Sequence, residues 1–200
     1  MTTETVTTFF AVLAVVALVV VISGVVLGAL TLIGRSPRRW SSLRHDLAPL
    51  SLGLAWAVAT TSTLGSLYLS EIANYPPCDL CWYQRIAMYP LVVLLGVAAL
   101  RRDAQVRWYV VPVAGVGLGI SVYHYLLERF PDSVTSVCTT DVPCSVVWVW
   151  KFGFLSIPAM AGMGFALIIT LVLLATPPGT GGGARDDSPV DDQTLEERPG

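Results

Sequence analysis

The sequence predicts an all-α integral membrane protein, and three observations lead to this fold class. Hydrophobic residues make up 54% of the 200 residues and charged residues only 13%, whereas a soluble domain carries about 25% charged residues. The apolar residues gather in five long uncharged stretches instead of scattering along the chain. The alternating pattern of a membrane β-barrel is absent from the sequence. Because backbone groups in lipid must be hydrogen-bonded within their own segment, each stretch is predicted to be a helix.

Each of the five stretches is long enough to cross a bilayer, whose hydrocarbon core of about 30 Å needs about 20 helical residues. The predicted spans are Thr8–Ile33, Leu47–Leu69, Trp82–Leu100, Trp108–Leu127 and Phe154–Ala175. The first span resembles a signal peptide, but Glu4 precedes it and no lysine or arginine does. We therefore interpret it as a retained transmembrane helix.

Arginine distribution in the short loops predicts the orientation of the helices. Arginines are concentrated in two loops, which lie on the same side of the membrane if all five spans cross it. They are Arg35, Arg38, Arg39 and Arg44 after the first span, and Arg101, Arg102 and Arg107 after the third. This side is predicted to be cytoplasmic, so the N-terminus lies outside and the C-terminus inside a cell inner (plasma) membrane.

Three parts of the chain are distinguished by composition. Residues 1–46 hold the first helix and a basic cytoplasmic loop, and residues 47–175 hold the other four spans. Residues 176–200 are rich in glycine, proline and acidic residues, which predicts a disordered cytoplasmic tail. The net charge of −2 and the absence of a large basic patch give no indication of nucleic-acid binding.

Four cysteines form two close pairs, both in loops that are predicted to be extracytoplasmic, where disulfides persist. Cys78 and Cys81 are separated by two residues at the start of the third span. This spacing allows an exchangeable disulfide and often lowers the pKa of one thiol. Cys81 is predicted near the N-terminus of a membrane helix, where the helix dipole favours a thiolate.

The second pair, Cys138 and Cys144, closes a small loop between the fourth and fifth spans. A short loop gains little stability from closure. A disulfide offered to another protein is therefore one interpretation, and a structural staple remains the other.

Arg85 follows Cys81 by four residues and shares its helical face. Only 15 residues, Ile86–Leu100, remain in that span after it. Arg85 therefore lies near the hydrocarbon boundary, where a charge is costly and often marks a site. A side chain that reaches up to the lipid headgroups is the simpler alternative.

Several other features of the spans are predicted to be structural. Gly115 and Gly119 form a G-x-x-x-G pattern that favours close helix packing. Pro158 is expected to begin or kink the last span. Tyr75 and Trp148 belong to a group of aromatic residues expected at the membrane interface.

The stretch from Cys78 to Leu91, CDLCWYQRIAMYPL, closely resembles the DsbB/BdbC family of bacterial disulfide-bond formation proteins. Further similar segments are Tyr123–Tyr125, Pro143–Ser145 and Gly153–Pro158. The resemblance covers roughly Leu50–Ala175, the last four spans. It implies a four-helix transmembrane bundle, to which this chain adds an N-terminal transmembrane helix.

The resemblance also implies an activity, with a role for each matched residue. The family passes electrons from a DsbA-like thioredoxin-fold partner to a membrane quinone, either menaquinone or ubiquinone. Cys138 would be attacked by the reduced partner, and Cys144 would then pass the electrons to the Cys78–Cys81 disulfide. Cys81 would lie against the quinone as a thiolate, with Arg85 polarising a quinone oxygen. His124, matched in the Tyr-His-Tyr segment, is a further candidate for the quinone site.

Three other functions are compatible with parts of the pattern. A reductive transporter would need thiols that can be reached from the cytoplasm. A Cys₄ zinc protein would use all four thiolates as ligands, although an oxidising compartment and the nearby Arg85 disfavour it, so no metal is expected. An oxidase similar to vitamin K epoxide reductase would do similar work with a different sequence pattern.

Overall fold

The computed structural model describes residues 3–34, 38–132, 138 and 142–175, with side chains omitted for 38–46. Within these residues the chain forms five α-helices and a single isolated β-bridge, between Lys151 and Leu155. The helices are α1 (Thr3–Leu32), α2 (Arg38–Glu71), α3 (Asp79–Arg101), α4 (Arg107–Arg129) and α5 (Ile157–Leu174). A short 3₁₀ helix, Ala104–Val106, precedes α4. The all-α fold class is confirmed.

Five helical segments are long and apolar enough to cross a membrane, as predicted. They are Thr3–Leu32, Leu47–Glu71, Asp79–Arg101, Ala104–Arg129 and Ile157–Leu174. Some ends differ from the prediction, because hydropathy marks the apolar part of a helix while backbone hydrogen bonds continue into its polar flanks. The predicted tail, 176–200, lies outside the described residues.

Helices α2 to α5 form a four-helix bundle in which each helix packs against two neighbours. The ring runs α2–α3–α4–α5, and α5 closes it against α2. Helix α1 stands outside this ring and packs mainly against α5. The predicted bundle with one additional N-terminal helix is therefore confirmed.

The core of the bundle is filled by fully buried side chains from α3, α4 and α5. They include Leu91, Leu95, Val110, Phe165, Ile168 and Val172. Because lipid is as apolar as these side chains, dense packing, more than removal from water, holds the helices together. This core positions the N-terminal end of α3 and the N-terminal end of α5, which both follow loops that contain cysteines.

The prediction for the G-x-x-x-G pattern is wrong. A Cβ atom added at Gly115 or Gly119 would meet nothing within 4 Å. The close approach of α4 to α5 occurs instead at Gly117, where a Cβ would overlap the ring of Phe165. The glycine that matters lies between the two predicted ones, on the opposite side of the helix.

Two proline-containing segments fix where helices begin at the cysteine end of the bundle. Pro76 and Pro77 precede α3, and Cys78 is the extended N-cap residue of that helix, with φ −75° and ψ 174°. Pro158 occupies the first turn of α5, so it begins the span, as one of the two predicted outcomes. Proline suits the first turn of α5 because it lacks the N–H that would be unsatisfied there, whereas Pro76 and Pro77 lie before the N-cap of α3.

Candidate functional site

The first cysteine pair sits at the start of α3. Cys78 is the N-cap residue and Cys81 lies in the first turn, so both sulfurs fall on one side of the helix. The two Sγ atoms are 2.9 Å apart. Cys78 is buried, and Cys81 is partly exposed. The pair is close enough for reversible disulfide chemistry, and the positive end of the helix dipole favours negative charge on it.

His124 on α4 connects the first pair to the second. Its Nε2 lies 3.7 Å from Cys78 Sγ and 3.2 Å from the carbonyl oxygen of Cys144. A carbonyl oxygen only accepts, so Nε2 carries the proton and donates. The His124 side chain is buried, which keeps water away from these contacts.

These contacts set the charge on Cys78, which precedes the membrane-spanning part of α3. The hydrogen bond from the Cys81 thiol is the main cause that lowers the pKa of Cys78, to about 4. Burial opposes this effect, and the hydrogen bond from His124 adds to it. Cys78 is therefore ionised to a thiolate at pH values far below those at which an ordinary thiol ionises. Neighbouring hydrogen-bond donors stabilise the negative charge in place of the water that burial removes.

The second pair is joined in a disulfide, Cys138–Cys144. Cys144 is only 1% exposed and packs in a buried cluster with Cys78, Leu80 and Leu127. Cys138 is partly exposed at the edge of the same cluster. The structure thus brings all four predicted cysteines to one end of the bundle, with one sulfur of the second pair nearer the surface.

Arg85 is buried, with 8% of its surface exposed, between α2 and α3. Its Nε donates to Ser66 Oγ and its Nη2 to the Ser66 carbonyl oxygen, both at 3.0 Å. The guanidinium also stacks on Trp82, 5.2 Å from the ring centroid. The side chain therefore turns into the protein, contrary to the alternative in which it reaches the lipid headgroups.

A cavity of about 480 Å³ lies beside Cys81 and Arg85. Its walls come from α1, α2, α3 and α5, and most of the lining side chains are apolar. Tyr75 and Trp148, whose ring centroids are 5.3 Å apart in a stacked arrangement, also line it. A mostly apolar cavity with a few polar groups at one end is typical of a site for an apolar ligand with a polar head.

Sequence reasoning missed several residues of this site. Ser66 orients Arg85, while Gln84 lines the cavity and donates to Ser121 Oγ at 3.1 Å. Both are polar residues within apolar spans, which is a signal that sequence could have supplied. Tyr75 and Trp148 were expected only at the interface, and the structure adds that they line the cavity.

The structure does not bring His124 to the cavity. Its Nε2 contacts Cys78 Sγ and the Cys144 carbonyl oxygen, and its side chain is not among those that line the cavity. Contact between His124 and a quinone remains a prediction, while its position beside the sulfurs is a finding.

Three residues of the site are close enough together to hold a metal ion. The ligand atoms of Cys78, Cys81 and His124 all lie within 4.8 Å of one another. The Cys₄ site considered from the sequence is wrong for this structure, because Cys138 and Cys144 are joined to each other. A three-ligand site would differ from a closed structural zinc site, which has four protein ligands.

Comparison with known proteins places the cysteine end in a family. The family model described as disulfide bond formation protein DsbB matches residues 49–175. Disulfide bond formation protein C of Bacillus subtilis is 48% identical over 121 residues, covering 60% of this chain and 88% of the relative. Probable disulfide formation protein C 2 of Bacillus anthracis is 46% identical over 123 residues, covering 62% and 88%. A probable disulfide formation protein of Oceanobacillus iheyensis is 47% identical over 123 residues, covering 60% and 85%. No solved structure matches the chain significantly.

Proposed function

The chain belongs to the DsbB family of disulfide bond formation proteins, and on that premise we propose that it is a quinone-dependent protein-disulfide oxidoreductase. Its substrate is a reduced DsbA-like thioredoxin-fold protein, and its electron acceptor is a membrane quinone, menaquinone or ubiquinone. Residues 47–175 form the catalytic domain. The activity supports disulfide-bond formation outside the cytoplasm.

One observation carries the proposal. The two cysteine pairs meet in one buried cluster, and Cys81, which packs against that cluster, also lines the mainly apolar cavity beside Arg85. The cluster where the sulfurs would exchange is thus next to the cavity where the electrons would leave the cysteines. A chain with a structural disulfide alone would have no need of a thiol pair against a cavity.

The first step uses the second pair. A thiolate of the partner attacks Cys138 Sγ, a new disulfide forms between the two proteins, and Cys144 leaves as a thiolate. The partner's second thiolate then attacks the partner sulfur of this mixed disulfide. The partner leaves oxidised, and Cys138 is released as a thiolate. Partial exposure of Cys138 and burial of Cys144 support this order of attack.

The second step moves the electron pair between the two couples. The Cys144 thiolate attacks Cys78 of a Cys78–Cys81 disulfide, a Cys78–Cys144 bond forms, and Cys81 leaves as a thiolate. Cys138 then attacks Cys144, which restores the second disulfide and leaves Cys78 and Cys81 reduced. His124 supports this transfer because Nε2–H donates toward Cys78 Sγ and holds the Cys144 backbone.

The cavity residues fit a quinone, since a buried guanidinium, a sulfur and an apolar lining meet there. A bound quinone supplies an acceptor for two electrons and two protons. Arg85 holds positive charge where an oxygen of the ring would lie, and Ser66 and Trp82 fix its orientation. Cys81 presents its sulfur to the same space, and the apolar walls exclude water.

The chain is proposed to lie in a bacterial inner membrane with the cysteine end outside the cytoplasm. The exposed Arg101 and Arg102 at the opposite end of α3 support this orientation. Labelling of reduced Cys138 on intact cells by a membrane-impermeant maleimide tests it. Labelling only after the cells are broken would contradict the orientation and would support the alternative function, a reductive transporter.

The test of function mixes the purified protein with a reduced thioredoxin-fold partner and a soluble quinone, and follows quinone reduction. Turnover is expected for the wild type and is expected to be lost in Cys78→Ser and Cys81→Ser. Undiminished turnover in a variant that lacks both Cys78 and Cys81 would remove the proposal. Metal analysis of the same sample tests the remaining alternative, in which Cys78, Cys81 and His124 hold an ion.

A further inference from the structure

Helix α1 lies outside the part of the chain that the family model matches, which begins at residue 49. The proposed electron route uses no residue of this helix. Its position is nevertheless specific, because side chains of α1 line the cavity that also holds Cys81 and Arg85. These lining residues are Phe10, Leu13, Ala14, Val16, Ala17 and Val20.

Close packing holds α1 against the bundle along its length. Ala11, Ala14 and Ala17 are buried, so a stripe of small side chains allows α1 to approach its neighbour closely. Ala11 and Ala14 share a buried cluster with Leu155, which lies two residues before α5. A Cβ at Gly24 would lie 2.8 Å from Thr170 Cγ2, so contact with α5 extends deep into the span.

Contacts at the cysteine end bring α1 over α2 as well. The ring of Phe10 lies so close to Gly65 that a Cβ there would overlap it. Glu4 pairs with Lys151, with 3.6 Å between the carboxylate oxygen and Nζ. Helix α1 therefore covers the groove between α2 and α5, which the four-helix bundle alone would leave facing lipid.

The dimensions of the cavity indicate what this covered groove holds. Its lining on α5 runs from Ile157 to Leu171, which is about 21 Å of helix at about 1.5 Å per residue. Polar groups are concentrated where Cys81, Gln84 and Arg85 lie, and the remainder is lined mainly by apolar side chains. The space is much longer than a quinone ring, and its apolar part suits an isoprenoid tail.

We propose that α1 is a wall of the quinone site and holds the isoprenoid tail of the quinone in the groove between α2 and α5. This inference rests on the proposed function, because it takes a tailed quinone as the ligand. The ring binds at Cys81 and Arg85, and the tail extends along Ala17 and Val20. Affinity for the tail is then a property of α1, whereas affinity for the ring is a property of the four-helix bundle.

The experiment compares two probes that share a ring: a quinone with two isoprene units and the same ring without a tail. Both the benzoquinone and the naphthoquinone versions are used with the purified full chain in detergent. Val20→Trp fills the tail end of the cavity, and Val19→Trp is its matched control because Val19 is 58% exposed and does not line the cavity. Val20→Ala removes part of the wall at the tail end, and Val19→Ala is its matched control.

Val20→Trp and Val20→Ala are expected to raise KM for the tailed probe about tenfold, the effect of losing the burial of about two methylene groups. KM for the tailless probe is expected to stay within about twofold, and both controls to match the wild type. Retention of the radiolabelled tailed probe by the protein, measured without a partner, is expected to fall in parallel.

Two results would overturn the inference. One is an unchanged ratio of the two KM values in both cavity variants. The other is an equal rise for both probes, since α1 would then support the fold without contacting the tail. If the wild type reduces neither probe, the proposed function fails, and retention of the tailed probe by the wild type and the variants still decides the part played by α1.

Discussion

His124 Nε2 lies 3.7 Å from Cys78 Sγ, although the two residues are separated by 46 positions in the chain. The same nitrogen is 3.2 Å from the carbonyl oxygen of Cys144, so one imidazole contacts a member of each cysteine pair. This contact makes His124 a positioning residue for sulfur exchange in the proposed mechanism. It also places a donor beside the sulfur that would receive the attack of Cys144.

The first prediction concerns the thiolate of Cys78. Its pKa is lowered to about 4, so the thiolate persists above that pH, and removal of a donor must move the titration upward. We expect Cys81→Ala to raise the pKa more than His124→Ala, because the hydrogen bond from Cys81 is the largest cause. Ultraviolet absorbance of the thiolate against pH, in a background of Cys138→Ser and Cys144→Ser, measures both. The opposite order would contradict the assigned causes.

The second prediction separates the two half-reactions at Arg85. Arg85→Lys keeps the charge but loses the paired contacts with Ser66, and charge-assisted hydrogen bonds of this kind contribute about 1.5–3 kcal/mol. We expect KM for quinone to rise about tenfold or more, with the rate of disulfide exchange with the partner unchanged. Arg101→Ala, an exposed arginine at the other end of α3, is the control. Slower exchange with the partner in Arg85→Lys would count against this role.

The third prediction identifies the entry point of the electrons. A reduced partner that keeps only its nucleophilic cysteine is expected to form a stable mixed disulfide with Cys138, because Cys144 is 1% exposed. Peptide mass spectrometry of the adduct locates the bond. An adduct on Cys144 would reverse the proposed order of attack.

The fourth prediction concerns the packing of α4 against α5. Gly117→Ala is expected to destabilise the protein by about 1–3 kcal/mol, because the new methyl group overlaps the ring of Phe165. Gly115→Ala is the matched control, and nothing lies within 4 Å of its Cβ. Unfolding of both variants in detergent, followed by circular dichroism, provides the comparison. Equal stability of the two variants would show that the Phe165 ring can move aside for the new methyl group without lowering the free energy of unfolding.

The five spans and the chemistry near Cys81 could be predicted because they depend on residues close together in sequence. Apolar length identifies a span whatever lies beside it. The spacing from Cys78 to Arg85 likewise fixes which side chains share a face of α3, once that segment is helical. The resemblance of this same stretch to a known family added the roles that spacing alone left open.

The tertiary structure decided how the helices are rotated and which of them meet. Helix α1 is apolar almost all round, so its sequence contains no face that could predict a partner. The choice of Gly117 over Gly115, the bond from Arg85 to Ser66 and the position of His124 at Cys78 all depend on contacts between helices. Hydropathy gives the length of a membrane helix. Only the shapes of packed neighbours determine its rotation, because lipid and protein offer apolar side chains nearly the same environment.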